Sequence, residues 1–190
     1  MSRRYYPEEA AKYDTRSEKA GSRGKVLDRV AKAAYDNNRA YEGCARCVLH
    51  ALETHLNILR DGRGFEEVMR SSTALSAGVA RKGETCGALL GALMAIGLET
   101  GTMRLDDFDG YVDTMRAASE VFDRFREHYG TVRCFEIQEK LLGRRIDFFE
   151  DEDAEWWYEH DGLDVCPGVC AVAARMAASS ILKLRLPRGT

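Results

Sequence analysis

The chain of 190 residues contains only three prolines, and no segment alternates apolar and polar residues with period two. It therefore lacks the pattern of half-buried β-strands and has few residues that interrupt helices. Apolar residues recur instead at helical spacing, as at Val26, Val30 and Ala33. We expect an all-α fold, a single-domain bundle of about six to eight helices over residues 22–186, preceded by a polar N-terminal arm at residues 1–21.

Targeting and nucleic-acid signals are also missing. The arginines of the first residues are not followed by an apolar stretch, so we expect no signal peptide. We find no apolar run that we expect to span a bilayer, and we therefore predict a cytoplasmic protein without a membrane span. The net charge is −3 with both signs mixed along the chain, so we expect no nucleic-acid partner.

Motifs for hydrolytic and transfer chemistry are scarce. The four histidines show no metal-ligand spacing among themselves, and the glycines near Gly83 and Gly87 lack the strand and the lysine of a phosphate loop. Val48 stands where attachment of covalent haem to Cys44 and Cys47 would need a histidine. These absences leave cysteine as the residue type that carries the chemistry.

The chain has six cysteines, at Cys44, Cys47, Cys86, Cys134, Cys166 and Cys170. Several lie beside residues that begin helices, since Gly43 precedes Cys44 and Pro167 follows Cys166. We predict that the last helix begins at Pro167. A reducing cytoplasm favours metal ligation or transient redox chemistry for such thiols over permanent disulfides.

Cys86 opens an apolar helix that we expect to run to about Thr100. With Thr85 as the N-cap, the thiol would lie at the positive end of the helix dipole, which favours the thiolate. Small residues recur every fourth position at Gly87, Gly91 and Ala95, so another backbone or a compact inorganic group could approach closely. Tight helix packing would explain the same stripe.

Two further segments have predicted structures. A helix is expected from Phe65 to about Ala80 after a turn at residues 61–64. Residues 147–164 combine nine acidic residues with aromatic ones, and we predict a solvated loop pinned by those aromatics. The alternatives are a lid over the thiol site or a docking surface for a basic partner.

Together these residues resemble the C_GCAxxG_C_C family of redox-active proteins, from about Tyr41 to Leu182. The segments that carry this resemblance are Gly43-Cys44-Ala45, Thr85-Cys86-Gly87-Ala88-Leu89-Leu90-Gly91, Val132-Arg133-Cys134 and Cys166-Pro167. The resemblance implies that Cys44, Cys86, Cys134 and Cys166 are the functional set, and split-Soret cytochromes carry a similar domain with an iron–sulfur site. Cys47 and Cys170 are additional to this pattern. They could supply replacement metal ligands, a resolving thiol or a second disulfide, or they could be small buried hydrophobic residues.

Four thiolates from separate helix starts can ligate zinc or an iron–sulfur cluster. Their wide dispersal in a domain that needs no metal to build its core favours iron–sulfur and electron transfer to a redox partner protein or a small-molecule electron acceptor. A metal-free thiol–disulfide oxidoreductase is the second hypothesis, in which Cys86 attacks and a neighbouring cysteine, with Cys44 as a candidate, completes the exchange. A structural protein with inert thiols is the third. The sequence leaves open whether two chains form a homodimer around a shared site.

Overall fold

The structure is a computed structural model that describes residues 22–59 and 64–187. Within these residues it contains eight α-helices and no β-strand, so the predicted all-α bundle is confirmed. The helices are α1 (Ser22–Tyr41), α2 (Cys44–Leu56), α3 (Phe65–Ser72), α4 (Gly87–Thr100), α5 (Phe108–Tyr129), α6 (Cys134–Leu142), α7 (Asp151–Glu159) and α8 (Gly162–Leu184). The predicted arm at residues 1–21 and most of the turn at residues 61–64 lie outside the described residues.

Helix α8 is the centre of the bundle and packs against α1, α2, α4 and α5. Its residues 167–178 are all buried and, apart from Arg175, small or apolar, which is the composition of a helix buried all round. By length and composition α8 would also be able to cross a membrane, contrary to our expectation for the sequence, but 78% of its apolar window is buried inside the fold. The apolar character of α8 therefore has a structural explanation in the core.

The last helix begins at Gly162 and not, as predicted, at Pro167. A proline inside a helix cannot donate to the carbonyl four residues earlier, which here belongs to Leu163. The Arg39 guanidinium donates to that carbonyl at 3.1 Å. This contact compensates for the missing helix hydrogen bond, so the helix starts a full turn before the proline.

Helices α2 and α4 approach each other along the stripe of small residues. A Cβ at Gly91 would lie 2.4 Å from the backbone oxygen of Ala45, so only glycine permits this spacing. The contact brings the beginnings of α2 and α4 to the same end of the bundle. The predicted tight packing is therefore present.

The helix expected from Phe65 to about Ala80 ends at Ser72, and one 3₁₀ turn, Thr73–Leu75, follows it. Residues 77–81 then all have positive φ, between 48° and 67°. Such a run is costly for residues with a Cβ, by about 1–2 kcal/mol each. Helical periodicity could not reveal this left-handed turn, whose backbone N–H groups bond to carbonyls within residues 74–79.

Candidate functional site

The four cysteines of the predicted functional set lie at or near helix starts. Cys44 and Cys134 are the first residues of α2 and α6, whereas Cys166 lies in the second turn of α8. Cys86 is itself the N-cap of α4, so the prediction that Thr85 caps this helix is wrong. Thr85 instead forms an isolated antiparallel bridge with Arg133.

This bridge fastens the segment before α4 to the segment before α6. The Cys86 N–H donates to the Val132 carbonyl at 2.8 Å, and the Cys134 N–H donates to the Glu84 carbonyl at 2.6 Å. Two cysteines that are far apart in sequence are therefore held side by side by their own backbones.

Glycines make room for the other contacts. A Cβ at Gly87 would lie 2.9 Å from the sulfur of Cys44, and a Cβ at Gly78 would lie 2.8 Å from the Cβ of Cys134. Gly78 belongs to the left-handed turn at residues 77–81, where positive φ also favours glycine. The turn thus packs directly against the cysteines, and backbone strain of this kind is typical of functional sites.

The four thiols interact electrostatically in every pairwise combination. Burial raises the pKa of Cys166 well above the usual thiol range, and repulsion from the other three thiols raises it further. Burial also raises the pKa of Cys86 well above that range, and repulsion from Cys134 and Cys44 adds to the effect. Burial and Cys44 raise the pKa of Cys134 to about 12. We call these four side chains the cysteine cluster.

Cys44 differs from the rest of the cluster, because its pKa is lowered to about 7. The largest cause is a hydrogen bond with the Cys170 side chain, and the backbone N–H groups of Ala77 and Ala45 act in the same direction against burial. The helix-start argument predicted a low pKa for Cys86. The thiol with the lowered pKa is instead Cys44. Cys86 is only 5% exposed, and its desolvation outweighs the favourable helix end.

Two other members of the cluster have side-chain N–H groups beside them. The Gln138 amide donates to the sulfur of Cys134 at 3.2 Å, one helical turn further along α6. The Trp157 indole N–H is buried beside Cys166 and lowers its pKa slightly, although it completes no hydrogen bond of ordinary geometry. Neither residue was identified from the sequence, where only the spacing of four between Cys134 and Gln138 could have indicated a contact.

A cavity of about 690 Å³ opens beside the cluster. Cys44, Cys134 and Cys166 lie along it, and its residues come from the left-handed turn, from α2 and from the segment 148–158. That segment was predicted to be a pinned loop, but most of it forms α7, with Trp157 buried. It forms a wall of the cavity, in the position that the lid alternative proposed.

A single-ion site is not preformed in the described ranges, 22–59 and 64–187. No group of three or more histidine, cysteine, aspartate or glutamate side chains there is gathered to hold a metal ion. The six cysteines are all free thiols in this structure.

The model of the C_GCAxxG_C_C family, described as "Putative redox-active protein", matches residues 42–180. This range covers more than half of the chain and includes all six cysteines. The protein belongs to the C_GCAxxG_C_C family. Searches of the curated proteins and of the solved structures each found no match.

Two cysteines are additional to the C_GCAxxG_C_C pattern, and the structure treats them differently. Cys170 is fully buried, its thiol donates to the Cys44 carbonyl oxygen at 3.9 Å, and it also lies beside the Cys44 thiol. The Cys47 thiol donates to the Glu42 carbonyl oxygen at 2.9 Å, and burial raises its pKa to about 11. Cys170 therefore contacts the cluster, whereas the hydrogen bond of Cys47 points elsewhere.

Proposed function

We propose that the protein is an electron-transfer protein in which Cys44, Cys86, Cys134 and Cys166 ligate an iron–sulfur cluster. The observation that carries this proposal is the interaction of each of these thiols with the other three in one buried group. Four cysteine thiolates are the usual ligand set of such clusters. Membership of a family described as redox-active supports the same class of function.

The donor set fits this cofactor. Four thiols that repel one another when ionised, two of them buried and two half-buried, are an unfavourable arrangement without a cation, and a bound metal deprotonates coordinating thiols outright. An iron–sulfur cluster is wider than one ion, so its ligand sulfurs stand further apart than those of zinc. In this structure the four thiols interact with one another but are not gathered around a single ion, which agrees with the wider spacing of cluster ligands.

The surrounding residues of this chain would hold and tune the centre. When bound, an iron–sulfur cluster supplies one-electron transfer. Gln138 donates to Cys134, and Trp157 lies beside Cys166, so their N–H groups favour negative charge on these sulfurs. Helix α7 forms a wall of the cavity, and half-buried Cys44 and Cys166 line this cavity, from which a redox partner would approach.

The test is anaerobic purification or reconstitution with iron and sulfide, followed by the visible spectrum and metal analysis. We expect broad charge-transfer bands with bound iron and sulfide, lost in Cys86→Ala and retained in the matched variant Cys47→Ala. Circular dichroism shows whether both variants remain folded. A colourless, iron-free protein after reconstitution, or equal loss in both variants, would contradict the proposal.

The contact between Cys44 and Cys170 favours a second function, metal-free thiol–disulfide exchange. The Cys44 thiolate would attack a partner disulfide, forming a mixed disulfide and releasing one partner thiol after protonation. Cys170 would then lose its proton and attack Cys44, forming the Cys44–Cys170 disulfide and releasing the second partner thiol. The partner gains two electrons and the protein loses two. Peptide mapping after mild oxidation would show this disulfide if the mechanism operates, and separate free thiols if it does not.

A further inference from the structure

The cavity beside the cysteine cluster changes in character from its floor to its mouth. Buried residues, among them Cys134, Gln138 and Trp157, lie at the floor, whereas Tyr41 and Tyr158 at the mouth are 72% and 52% exposed. A volume of about 690 Å³ is in the range of small-molecule pockets, which are concave and mostly apolar. This shape suits a small molecule better than the flat surface of a protein.

The walls are aromatic. Phe148 and Phe149 lie on the loop before α7, Tyr158 lies on α7, and all three line the cavity. Phe149 is 57% exposed, although its ring also contacts Lys82 at 4.6 Å. Aromatic side chains in this arrangement favour a flat ring system that can stack against them.

Two arginines at the mouth are available to a ligand. Arg46 donates to the Tyr41 carbonyl at 3.1 Å, and Arg81 donates to the Phe148 carbonyl at 3.2 Å. Neither guanidinium forms an ion pair with any residue that the structure describes. The carboxylate that lines the cavity, Glu42, accepts a hydrogen bond from the Tyr158 hydroxyl. The mouth therefore offers unpaired guanidinium groups, which recognise carboxylates, sulfonates and phosphates.

We infer that this cavity binds a small, planar aromatic molecule with one acidic group, its rings against the aromatic wall and its acidic group on Arg46 and Arg81. The inference rests on the proposed function, because it identifies the chemical class of the small-molecule electron carrier at the cysteine cluster. Two sources share this chemistry, a flavin phosphate and an acidic quinone. Both present a flat ring and an anion.

Binding can be measured by calorimetry on the whole protein, with and without bound iron. Flavin mononucleotide and anthraquinone sulfonate are the two probes, and riboflavin, which lacks the phosphate, is the matched control ligand. We expect riboflavin to bind roughly tenfold more weakly than flavin mononucleotide, and each of Arg46→Gln and Arg81→Gln to weaken the acidic probes by a similar factor. Arg126→Gln is the matched control variant, since this arginine pairs with Asp123 on α5.

A cavity-filling variant makes the test independent of charge. Ala154 is half-buried on α7 and lines the cavity, so Ala154→Phe should abolish binding of both probes. Binding of only one acidic probe, with loss in the arginine variants, would support the site and assign its source. No binding of either probe, or binding that the arginine variants leave unchanged, would overturn the inference. Measurements on iron-free protein separate this result from failure of the iron–sulfur proposal, which iron and sulfide analysis decides.

Discussion

The starts of α2 and α4 each carry a cysteine, and their thiols behave oppositely. Backbone N–H groups favour the thiolate at both places, from Ala77 and Ala45 for Cys44 and from the first turn of α4 for Cys86. Cys44 has in addition a hydrogen bond with Cys170, whereas burial dominates at Cys86. A helix N-terminus is therefore not sufficient to lower a thiol pKa. At Cys44 the contact with the Cys170 side chain outweighs burial, whereas at Cys86 burial outweighs the backbone donors.

The largest effect is expected where the two helix starts are held together. Gly91→Ala would place a Cβ 2.4 Å from the Ala45 oxygen, which neither backbone can avoid. We expect a loss of about 3 kcal/mol in the free energy of unfolding, because overpacking against backbone forces the helices apart. Urea denaturation measures this loss.

Gly97→Ala is the matched control on the same helix. A Cβ at Gly97 would have no neighbour within 4 Å, so the substitution should stabilise the protein by up to about 1 kcal/mol through helix propensity. Equal stability of the two variants would show that α2 and α4 are not packed as closely as the structure indicates.

The next effect concerns the donor that distinguishes Cys44. A pKa of about 7 leaves half of this thiol ionised at neutral pH, and Cys170→Ala should return the pKa towards the ordinary thiol value of 9.0. Alkylation of Cys44 at neutral pH in the reduced, metal-free protein should then slow by up to about 50-fold, since the thiolate is the nucleophile.

Iodoacetamide labelling over a pH series, with the modified cysteine mapped by mass spectrometry, measures this change. The reactivity of Cys44 should fall as the pH decreases through its folded pKa, and the Cys170→Ala profile should lie at higher pH. Cys47→Ala is the control, because its thiol bonds to the Glu42 carbonyl. Identical profiles in all three proteins would refute the role of Cys170.

Much of the fold follows from local signals in the sequence. Hydrophobic periodicity and composition predicted the all-α bundle, and Gly43 marked the start of α2. The predicted start of α8 was wrong. The contact that permits the earlier start, from Arg39 to the Leu163 carbonyl, joins parts of the chain that are distant in sequence. The left-handed turn at residues 77–81 was missed because it opposes the preference of its own residues.

The site divides in the same way. The cysteines stand out as a residue type, so the pattern singled out Cys86 and its companions, whose role as ligands stays a prediction. The sequence pattern could not rank the acidity of the cysteines, because burial and the Cys170 contact depend on tertiary packing. Arg46 and Arg81 were missed because only the folded chain places these two arginines at one opening.

The smallest effect refines the comparison among the cluster sulfurs. Cys86 receives backbone N–H groups, which substitution leaves in place, and Cys44 receives them together with the Cys170 side chain. The donors beside Cys134 and Cys166 are side chains. Removing an outer-shell partner commonly weakens metal binding by about 10- to 100-fold. In the reconstituted protein we expect Gln138→Leu to release iron about tenfold faster to a chelator and to lower the reduction potential, because the thiolate loses a stabilising N–H.

Trp157→Phe should act in the same direction but less strongly, since the indole completes no ordinary hydrogen bond. Trp156→Phe is its matched control, because the Trp156 ring stacks on His160 at 4.2 Å, away from the cysteines. A redox titration of the four proteins compares them directly. If Trp156→Phe and Trp157→Phe shift the potential equally, the effect comes from α7 as a whole. If only Trp157→Phe and Gln138→Leu shift it, the side-chain donors beside Cys134 and Cys166 tune these two sulfurs.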